Sequence, residues 1–342
     1  VIRMGVLKPY IAELSEQGVV HNIAIRVGIR DNILLDLYHS NEQAINCETM
    51  FDMASVTKIL ATTSLSLIAI DSGLLNLTDK VSRFFPLPES FSELTVYHLM
   101  THTMGIGHRA MNLPQNNYQN IAEFILSLEH NPIGTKVEYS CPAFVVLGRI
   151  LEKIYGKRLD ILFKEMVAKP LNMNRSAYLP DNAARSNMVN SNLDPNLKGV
   201  VNDYNCQYLG SVAGNAGIFS CVEDMTLFAN MLLSDGYPLI SKTTFDNATK
   251  NHTKGLNEAR GLGFLYVDER YSQTGNLFPI GSFGHCGHTG TSIFVNRELG
   301  LYAIILSDAT ISTVKKFGNE HYDQVKKMRE NIHNLIKEEL NL

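Results

Sequence analysis

Residues 51–70 read FDMASVTKILATTSLSLIAI and contain the most apolar run of the chain. Ser55 and Lys58 are three positions apart, so on a helix their side chains lie on one face, about one turn from each other. A desolvated amine at the positive end of a helix favours its neutral form and can accept the hydroxyl proton. We therefore predict that Ser55 is a nucleophile and Lys58 its base, and that the run up to Gly73 is a buried core helix, too short to span a membrane.

A second Ser-x-x-Lys match occurs at Ser312 and Lys315. About one chance match is expected in a chain of this length, so the spacing alone does not identify a nucleophile. The second match lies in a polar connection ahead of the last predicted helix, where a solvated lysine keeps its proton. The context therefore favours Ser55.

The composition is that of an ordinary globular protein. The chain has 342 residues, of which 45% are hydrophobic and 19% charged, enough for a substantial core and for two domains or one domain with a large insertion. A net charge of -4 provides no broad cationic field, which argues against nucleic acid or an anionic membrane surface as a partner. A small-molecule or peptide substrate fits better, and the oligomeric state is left open.

Five cysteines are spread along the chain without a Cys-x-x-Cys pair, so we expect free thiols rather than a disulfide framework or a zinc site. The proposed chemistry needs no metal and no cofactor. Residues 1–8 lack the apolar run and cleavage site of a signal peptide. The compartment is left open between the cytoplasm, which this favours, and export with the signal already removed.

Strand patterns lie near both ends of the chain. Alternating apolar residues separated by turn residues predict two hairpins, at 23–29 with 33–38 and at 291–296 with 301–307. Apolar residues at helical spacing from Tyr322 to Ile336 predict a helix over the sheet. Helical patterns fill the middle, so we expect an α/β (α+β) fold with an antiparallel sheet domain at 1–80 and 225–342 and a mostly helical domain at 81–224.

Two further motifs follow Ser55. Residues 134–141 read GTKVEYSC ahead of a predicted helix, and residues 283–292 read FGHCGHTGTS ahead of a strand. The order Ser-x-x-Lys, Tyr-Ser-x, His-x-Gly resembles the class C beta-lactamase and DD-peptidase superfamily, the serine penicillin-recognising fold that includes related esterases and D-amino-acid peptidases. Other segments resemble it in the same order: HLMTHT at 98–103, KPLNM at 169–173 and VAGNAGIFS at 212–220.

The resemblance implies an active site at the junction of the two domains. Tyr139 matches the motif tyrosine that shuttles protons between nucleophile and leaving group. His285 takes the third motif position with Cys286 and Gly287, and the backbone N–H groups of Ser55 and His288 form the oxyanion hole. The residues alone leave structural alternatives open. Tyr139 could be a core residue at a helix N-terminus, and His285 could be a surface histidine or a hydrogen-bonded core histidine.

The chain departs from the family at two substrate-binding positions, which are cysteine where the family usually has Asn (Cys141) and Thr (Cys286). A thiol is a poor donor to a substrate carbonyl, so we do not expect efficient beta-lactam turnover. Both thiols are expected to face one pocket. Three other interpretations stay open: a strained disulfide, a metal site with His285 and a redox-sensitive switch.

The resulting hypothesis is a serine hydrolase that forms a covalent acyl-enzyme with esters or with D-amino-acid peptides or amides. Ser55 attacks a carbonyl, Lys58 and Tyr139 accept and return the proton, and water releases the acyl group. The alternative is a penicillin-binding or sensor protein of the same fold, which is acylated at Ser55 without turnover.

Overall fold

The computed structural model describes residues 5–108, 120–310 and 318–342, with the side chain of Asn319 left out. The second Ser-x-x-Lys match at 312–315 and residues 1–4 lie outside the described residues. The strands are β1 Asn22–Ile29, β2 Asn32–Ser40, β3 Phe51–Asp52, β4 Ala177–Tyr178, β5 Ile218–Ser220, β6 Leu265–Tyr266, β7 Phe283–Cys286, β8 Ser292–Asn296 and β9 Leu301–Ser307.

Six strands form an antiparallel sheet in the order β2-β1-β9-β8-β7-β6, and the order β3-β5-β4 forms a small second sheet. β1 pairs with β2 on one side and with β9 on the other, so the two ends of the described chain meet in the centre of the large sheet. The Asp308 carboxylate reinforces this pairing by accepting the Asn22 backbone N–H at 3.0 Å and its side-chain N–H at 2.7 Å. The predicted α/β fold with an antiparallel sheet built from both ends is confirmed.

The helices are α1 Leu7–Glu16, α2 Ser64–Asp71, α3 Val96–Met100, α4 Ile121–Ile125, α5 Cys141–Tyr155, α6 Leu159–Phe163, α7 Asn182–Arg185, α8 Tyr204–Tyr208, α9 Val222–Leu233, α10 Lys242–Ala248 and α11 His321–Leu340. Short 3-10 turns lie at Ala54–Val56, Val81–Arg83, Glu89–Phe91, Pro195–Leu197 and Gly318–Glu320, and π-helical turns lie at Lys58–Thr63 and Lys164–Ala168. The helices α3 to α8 lie in the middle segment, for which the sequence predicts mostly helical structure.

The large sheet has a core on each face. Successive side chains of a strand point to opposite faces, so each strand contributes to both cores. On β9, Tyr302, Ile304 and Leu306 join the core shared with the middle helices, whereas Ala303 and Ile305 pack under α1 and α11. Burial on both sides explains why β9 reads as a continuous apolar run. We keep the domain boundaries at 80/81 and 224/225 as a proposal.

The helical stretch Ala54–Asp71 is long and apolar enough to cross a membrane by length and composition, so the expectation that this run is too short is wrong. It is 78% buried inside the protein, so its apolar character is that of a core helix. β3 leads directly into this stretch and pairs with β5. The turn at the start of the stretch contacts β7. The candidate site is built at this meeting point.

Candidate active site

Ser55 lies in the 3-10 turn Ala54–Val56, directly after β3. Ala54 has a φ of 45°, a left-handed conformation that non-glycine residues rarely adopt. Asp52 holds this bend, because its Oδ1 accepts the Ala54 N–H at 2.8 Å and its Oδ2 accepts the Asn202 N–H at 2.6 Å. Ser55 is partly exposed between buried neighbours, so the bend leaves its hydroxyl accessible.

Lys58 is fully buried, and its Nζ has three partners. It lies 2.9 Å from Ser55 Oγ, 3.0 Å from the carbonyl oxygen of Asn215 and 3.3 Å from Cys141 Sγ. The local 3-10 geometry explains the first contact, because residues i and i+3 eclipse each other at three residues per turn. The structure thus brings together the hydroxyl and amine that the spacing pairs.

Tyr139 immediately precedes the Ser140 cap of α5, and its hydroxyl interacts with the Ser55 side chain. Lys58 Nζ lies 5.0 Å from the centroid of the phenol ring. Burial and the neighbouring Cys141 raise the pKa of Tyr139 well above its ordinary value. The phenol is therefore protonated at neutral pH and can donate to an oxygen or nitrogen of a bound substrate.

The Cys141 thiol is buried between Lys58 and His108. Burial opposes its ionisation, but the charge of Lys58 and a hydrogen bond from His108 outweigh burial and lower the pKa of Cys141. The same hydrogen bond raises the pKa of His108. The position that faces the substrate in the resembling family therefore carries a thiol with increased thiolate character.

His285 is buried on β7, with its ring centroid 6.2 Å from that of Tyr139. Its Nδ1 donates to the carbonyl oxygen of Cys286 at 2.8 Å, so the lone pair of the neutral ring is on Nε2. Burial, followed by the charges of Lys58 and Arg260, lowers the pKa of His285 well below its ordinary value. His285 is therefore a neutral member of the site.

The prediction that Cys286 faces the same pocket as Cys141 is wrong. Cys286 Sγ lies 3.3 Å from the Tyr271 hydroxyl and packs against the apolar cluster under α1 and α11. Neighbouring residues of a strand point to opposite faces, so a strand that turns His285 toward Tyr139 turns Cys286 away. Its side chain has no direct role in substrate binding, and the alternative of a disulfide is excluded because all five cysteines are free.

Gly287 packs against the segment that precedes Ser55. A Cβ at this position would lie 2.8 Å from the carbonyl oxygen of Met53 and 3.2 Å from the Cβ of Ala54. Only glycine allows the end of β7 to approach the nucleophile this closely. Thr289 adds a link, because its Oγ1 donates to the carbonyl oxygen of Asp52 at 3.0 Å.

The N–H of His288 is oriented by Arg329 of α11. Arg329 donates to the carbonyl oxygen of Gly287 and, from Nε at 3.1 Å, to that of Gly290. In a trans peptide the next N–H points opposite to the carbonyl, so the His288 N–H points away from Arg329. It has no acceptor within residues 5–108, 120–310 and 318–342. The oxyanion role of this N–H stays a prediction, supported by this orientation.

Three residues of this site are not among those predicted from the sequence. Arg329 orients the turn after β7, Asp52 holds the bend before Ser55, and Arg260 lies with its guanidinium carbon 5.5 Å from the Tyr139 ring centroid. Asp52 directly follows the apolar start of β3, which is the one local signal that could have identified it. Arg260 and Arg329 have no such signal, because only the tertiary structure shows that they are buried.

An open cavity of about 390 Å³ adjoins the site through His108, with Glu129, His130 and Asn131 on its other side. The ring centroid of His108 lies 6.0 Å from that of Tyr139. Within the described part of the chain, no group of three or more His, Cys, Asp or Glu side chains could hold a metal ion, which removes the metal-site interpretation of His285 and the thiols there.

The family model named Beta-lactamase matches residues 7–325 of this chain. The chain belongs to the Beta-lactamase family. The resemblance drawn from the motifs is thereby confirmed over nearly the whole sequence. Ser55, Lys58 and Tyr139 all lie inside the matched range.

Individual members of the family are distant from this chain. It is 26% identical over 301 residues to an N-acetylmuramyl-L-alanine amidase of Bacillus subtilis, which covers 76% of this chain and 68% of the relative. It is 26% identical over 311 residues to a "Putative D-alanyl-D-alanine carboxypeptidase" of Salmonella typhimurium, and this alignment covers 78% of this chain and 71% of the relative. The octameric penicillin-binding protein homologue from Pyrococcus abyssi superposes with a TM-score of 0.73 at 20% identity, covering 96% and 78% of the two chains. These beta-lactamase-like relatives support the shared fold.

Proposed function

We propose that this Beta-lactamase family protein is a serine hydrolase that acts through a covalent acyl-enzyme. The observation that carries the proposal is the convergence of two proton-handling groups on one hydroxyl. Lys58 Nζ lies 2.9 Å from Ser55 Oγ, and the Tyr139 hydroxyl interacts with the same side chain. A serine hydroxyl is a weak nucleophile on its own, and an adjacent base activates it.

The steps follow from these positions. Ser55 Oγ forms a bond to the substrate carbonyl carbon while its proton moves to Lys58, and the N–H groups of Ser55 and His288 stabilise the oxyanion. Tyr139 passes the proton to the leaving group as the carbon–leaving-group bond breaks. Water then attacks the acyl-enzyme, loses a proton to the same relay and releases the acid as Ser55 Oγ regains its hydrogen.

The substrate classes are esters and D-amino-acid peptides or amides. The named activities of the amidase and carboxypeptidase relatives agree with amide substrates. Cys141 disfavours beta-lactams, since its thiol replaces an amide donor. The same thiol lies 3.3 Å from Lys58 Nζ, and this contact is what favours the alternative of a protein that is acylated without turnover.

The first prediction concerns Ser55→Ala. We expect the hydrolysis of p-nitrophenyl acetate to fall by at least about a thousandfold, because the covalent route is lost. Labelling by a fluorophosphonate, located by peptide mass spectrometry, should be at Ser55 in the wild type and absent from the variant.

Ser72→Ala is the matched control, because Ser72 lies at the far end of the same helix and donates to the carbonyl oxygen of Ile68 at 2.8 Å. It should hydrolyse the ester at the wild-type rate. Turnover that persists in Ser55→Ala would refute the proposal. Labelling of Ser55 without turnover in the wild type would instead support the sensor.

A further inference from the structure

Cys141 lies at a point where three features favour a thiolate. It is the first residue of the 15-residue helix α5, whose N-terminal end carries a partial positive charge. Lys58 Nζ is 3.3 Å from its Sγ, and His108 interacts with the same thiol. Cysteines that react with oxidants lie at helix N-termini and beside basic side chains of this kind. The surroundings of Cys141 are therefore those of a reactive cysteine.

The groups that face this thiol act in both directions. Burial opposes its ionisation, Lys58 and His108 favour it, Asp203 opposes it, and the net effect is a lowered pKa for Cys141. The interaction with the thiol in turn raises the pKa of His108. Burial raises the pKa of the neighbouring Tyr139, so the phenol stays neutral. At neutral pH a larger fraction of Cys141 is therefore thiolate than of an ordinary cysteine.

The other two buried cysteines show that burial alone has the opposite effect. Burial raises the pKa of Cys206 well above its ordinary value and that of Cys221 to about 12. The Cys206 thiol donates to the carbonyl oxygen of Ala216 at 3.1 Å, so it is an inert hydrogen-bonded group. The basic partners of Cys141 therefore account for its different character.

Access to Cys141 restricts its reaction partner to a small molecule. The residue is only 2% exposed. Ser55, on the other side of Lys58, is partly exposed, and His108 borders the open cavity of about 390 Å³. Hydrogen peroxide is close to water in size, whereas larger thiol reagents need the site to open. The reactive thiol and its small access therefore favour a small peroxide as the partner.

Asn215 provides an unpaired polar group in the same region. Its carbonyl oxygen accepts from Lys58 Nζ at 3.0 Å, so it shares this amine with Cys141. Its side chain is fully buried, and neither Oδ1 nor Nδ2 has a hydrogen-bond partner in the described part of the chain. Buried polar groups in folded proteins are almost always paired. An oxygen added to the sulfur of Cys141 would bring an acceptor into this region.

We propose that Cys141 is a modification site at which hydrogen peroxide forms a sulfenic acid that stops the hydrolase. Sγ attacks one oxygen of the peroxide, an S–O bond forms and the O–O bond breaks. The leaving hydroxide takes a proton from His108 and becomes water. The sulfur is oxidised by two electrons and the peroxide is reduced by two. Two molecules of a thiol reverse the reaction by forming one disulfide and one water.

The added oxygen interrupts the proton relay. Because Cys141 is closely packed, an atom bound to Sγ must displace a neighbour, and Lys58 Nζ is 3.3 Å away. The same Nζ lies 2.9 Å from Ser55 Oγ, so this displacement separates the hydroxyl from its base. The loss of activity rests on the proposed hydrolase function, whereas the oxidation itself does not.

The rate of sulfenic acid formation at each cysteine tests the site directly. Protein treated with hydrogen peroxide at pH 7 is quenched with catalase and denatured in dimedone, which alkylates sulfenic acids, and the adducts are located by peptide mass spectrometry. We expect Cys141 to react at least about tenfold faster than the partly exposed Cys47, because the thiolate is the reacting form.

Two histidine variants complete this test. His108→Gln should slow the oxidation of Cys141 about threefold or more, because the variant removes a group that favours the thiolate. His130→Gln is the matched control, since His130 lines the same cavity, and it should leave the rate unchanged. Equal rates at Cys141 and Cys47 in the wild type, or an unchanged rate in His108→Gln, would overturn the proposal.

Fluorophosphonate labelling of Ser55 tests the consequence of the modification. Peroxide should reduce labelling in step with the oxidation of Cys141, both in the wild type and in the control Cys206→Ser. Cys141→Ser, whatever its own labelling rate, should not respond to peroxide. Oxidised Cys141 with undiminished labelling of Ser55 would overturn the effect on the relay. A wild type that neither labels at Ser55 nor hydrolyses esters removes the hydrolase, and the rates at Cys141 and Cys47 still decide on the modification site.

Discussion

At the scale of single residues, Cys141 sets this site apart from the motif it resembles. Its thiol lies 3.3 Å from Lys58 Nζ and forms a hydrogen bond with His108, so it interacts with the proton relay itself. An asparagine there would accept from Lys58 through Oδ1 and donate to a substrate carbonyl through Nδ2. The cysteine keeps the first interaction and weakens the second.

Cys141→Asn should therefore increase the rate at which a labelled penicillin acylates Ser55 by at least about tenfold, the value of one good hydrogen bond. The measurement is the second-order labelling rate, followed by gel fluorescence. Cys141→Ser is the matched control, since a hydroxyl cannot reach as far as an amide, and it should show no gain. Labelling of Cys141→Asn no faster than that of the wild type would contradict this account of the thiol.

At the scale of elements, the turn between β7 and β8 determines where the second oxyanion donor lies. Gly287 lies against Met53, Thr289 reaches the backbone of Asp52, and Arg329 holds the turn from the side of α11. Two elements distant in sequence, the segment before Ser55 and α11, thus fix this turn. Preorganised donors of this kind are effective because they need no rearrangement during the reaction.

Gly287→Ala should lower kcat for ester hydrolysis about 100-fold or more, because the new Cβ forces this turn away from the backbone before Ser55. Circular dichroism should show unchanged secondary structure. Gly107→Ala is the control: among the described residues its Cβ would meet no heavy atom closer than 3.8 Å, and kcat should stay at the wild-type value. Retention of kcat in Gly287→Ala would show that this turn does not position the donor.

The four strands of the two predicted hairpins lie within a few residues of their predicted positions. Alternating apolar residues at 23–29 and 33–38, with turn residues between them, identified β1 and β2, because both patterns are local in sequence. The helix predicted after residues 134–141 begins already at Cys141. Its N-terminus is set by the Ser140 side chain, which accepts the Ala143 N–H, and by Pro142, which is tolerated in a first helical turn.

The candidate site was predictable only where it follows from spacing or motif. Ser55 and Lys58 are local neighbours, and the family motif identified Tyr139. The direction of Cys286 depends on which face of β7 is turned toward the middle helices, and the position of Arg260 beside Tyr139 depends on the tertiary structure. Neither property is encoded in a short stretch of sequence.

At the scale of the whole molecule, α11 closes the outer face of the sheet and carries the buried His333. Its ring packs edge-on against Phe278 and Phe294, and its Nδ1 donates to the carbonyl oxygen of Arg329 at 2.8 Å. Burial lowers the pKa of His333 to about 4. Docking of α11 therefore requires a neutral imidazole.

This requirement gives a pH dependence of stability. The unfolded chain binds the proton near pH 6.5 and the folded chain near pH 4, so the contribution is complete above about pH 6.5 and is lost as the pH falls toward 4. The loss is about 3 kcal/mol, taken from the difference in pKa. Urea unfolding of wild type and His333→Gln between pH 4 and 7 should show a smaller slope in the variant. Equal slopes would mean that His333 does not sense pH.

The pairing of β1 with β9 has a consequence for biosynthesis. Asn22 and Asp308, which hydrogen-bond across this pairing, are 286 residues apart. At ordinary elongation rates a ribosome needs roughly 15–60 s to cover that distance. During that interval the nascent hairpin of β1 and β2 carries an apolar strand with one unsatisfied edge, a surface that other chains can join. The edge of β1 therefore stays open to pairing with another chain until β9 has been synthesised.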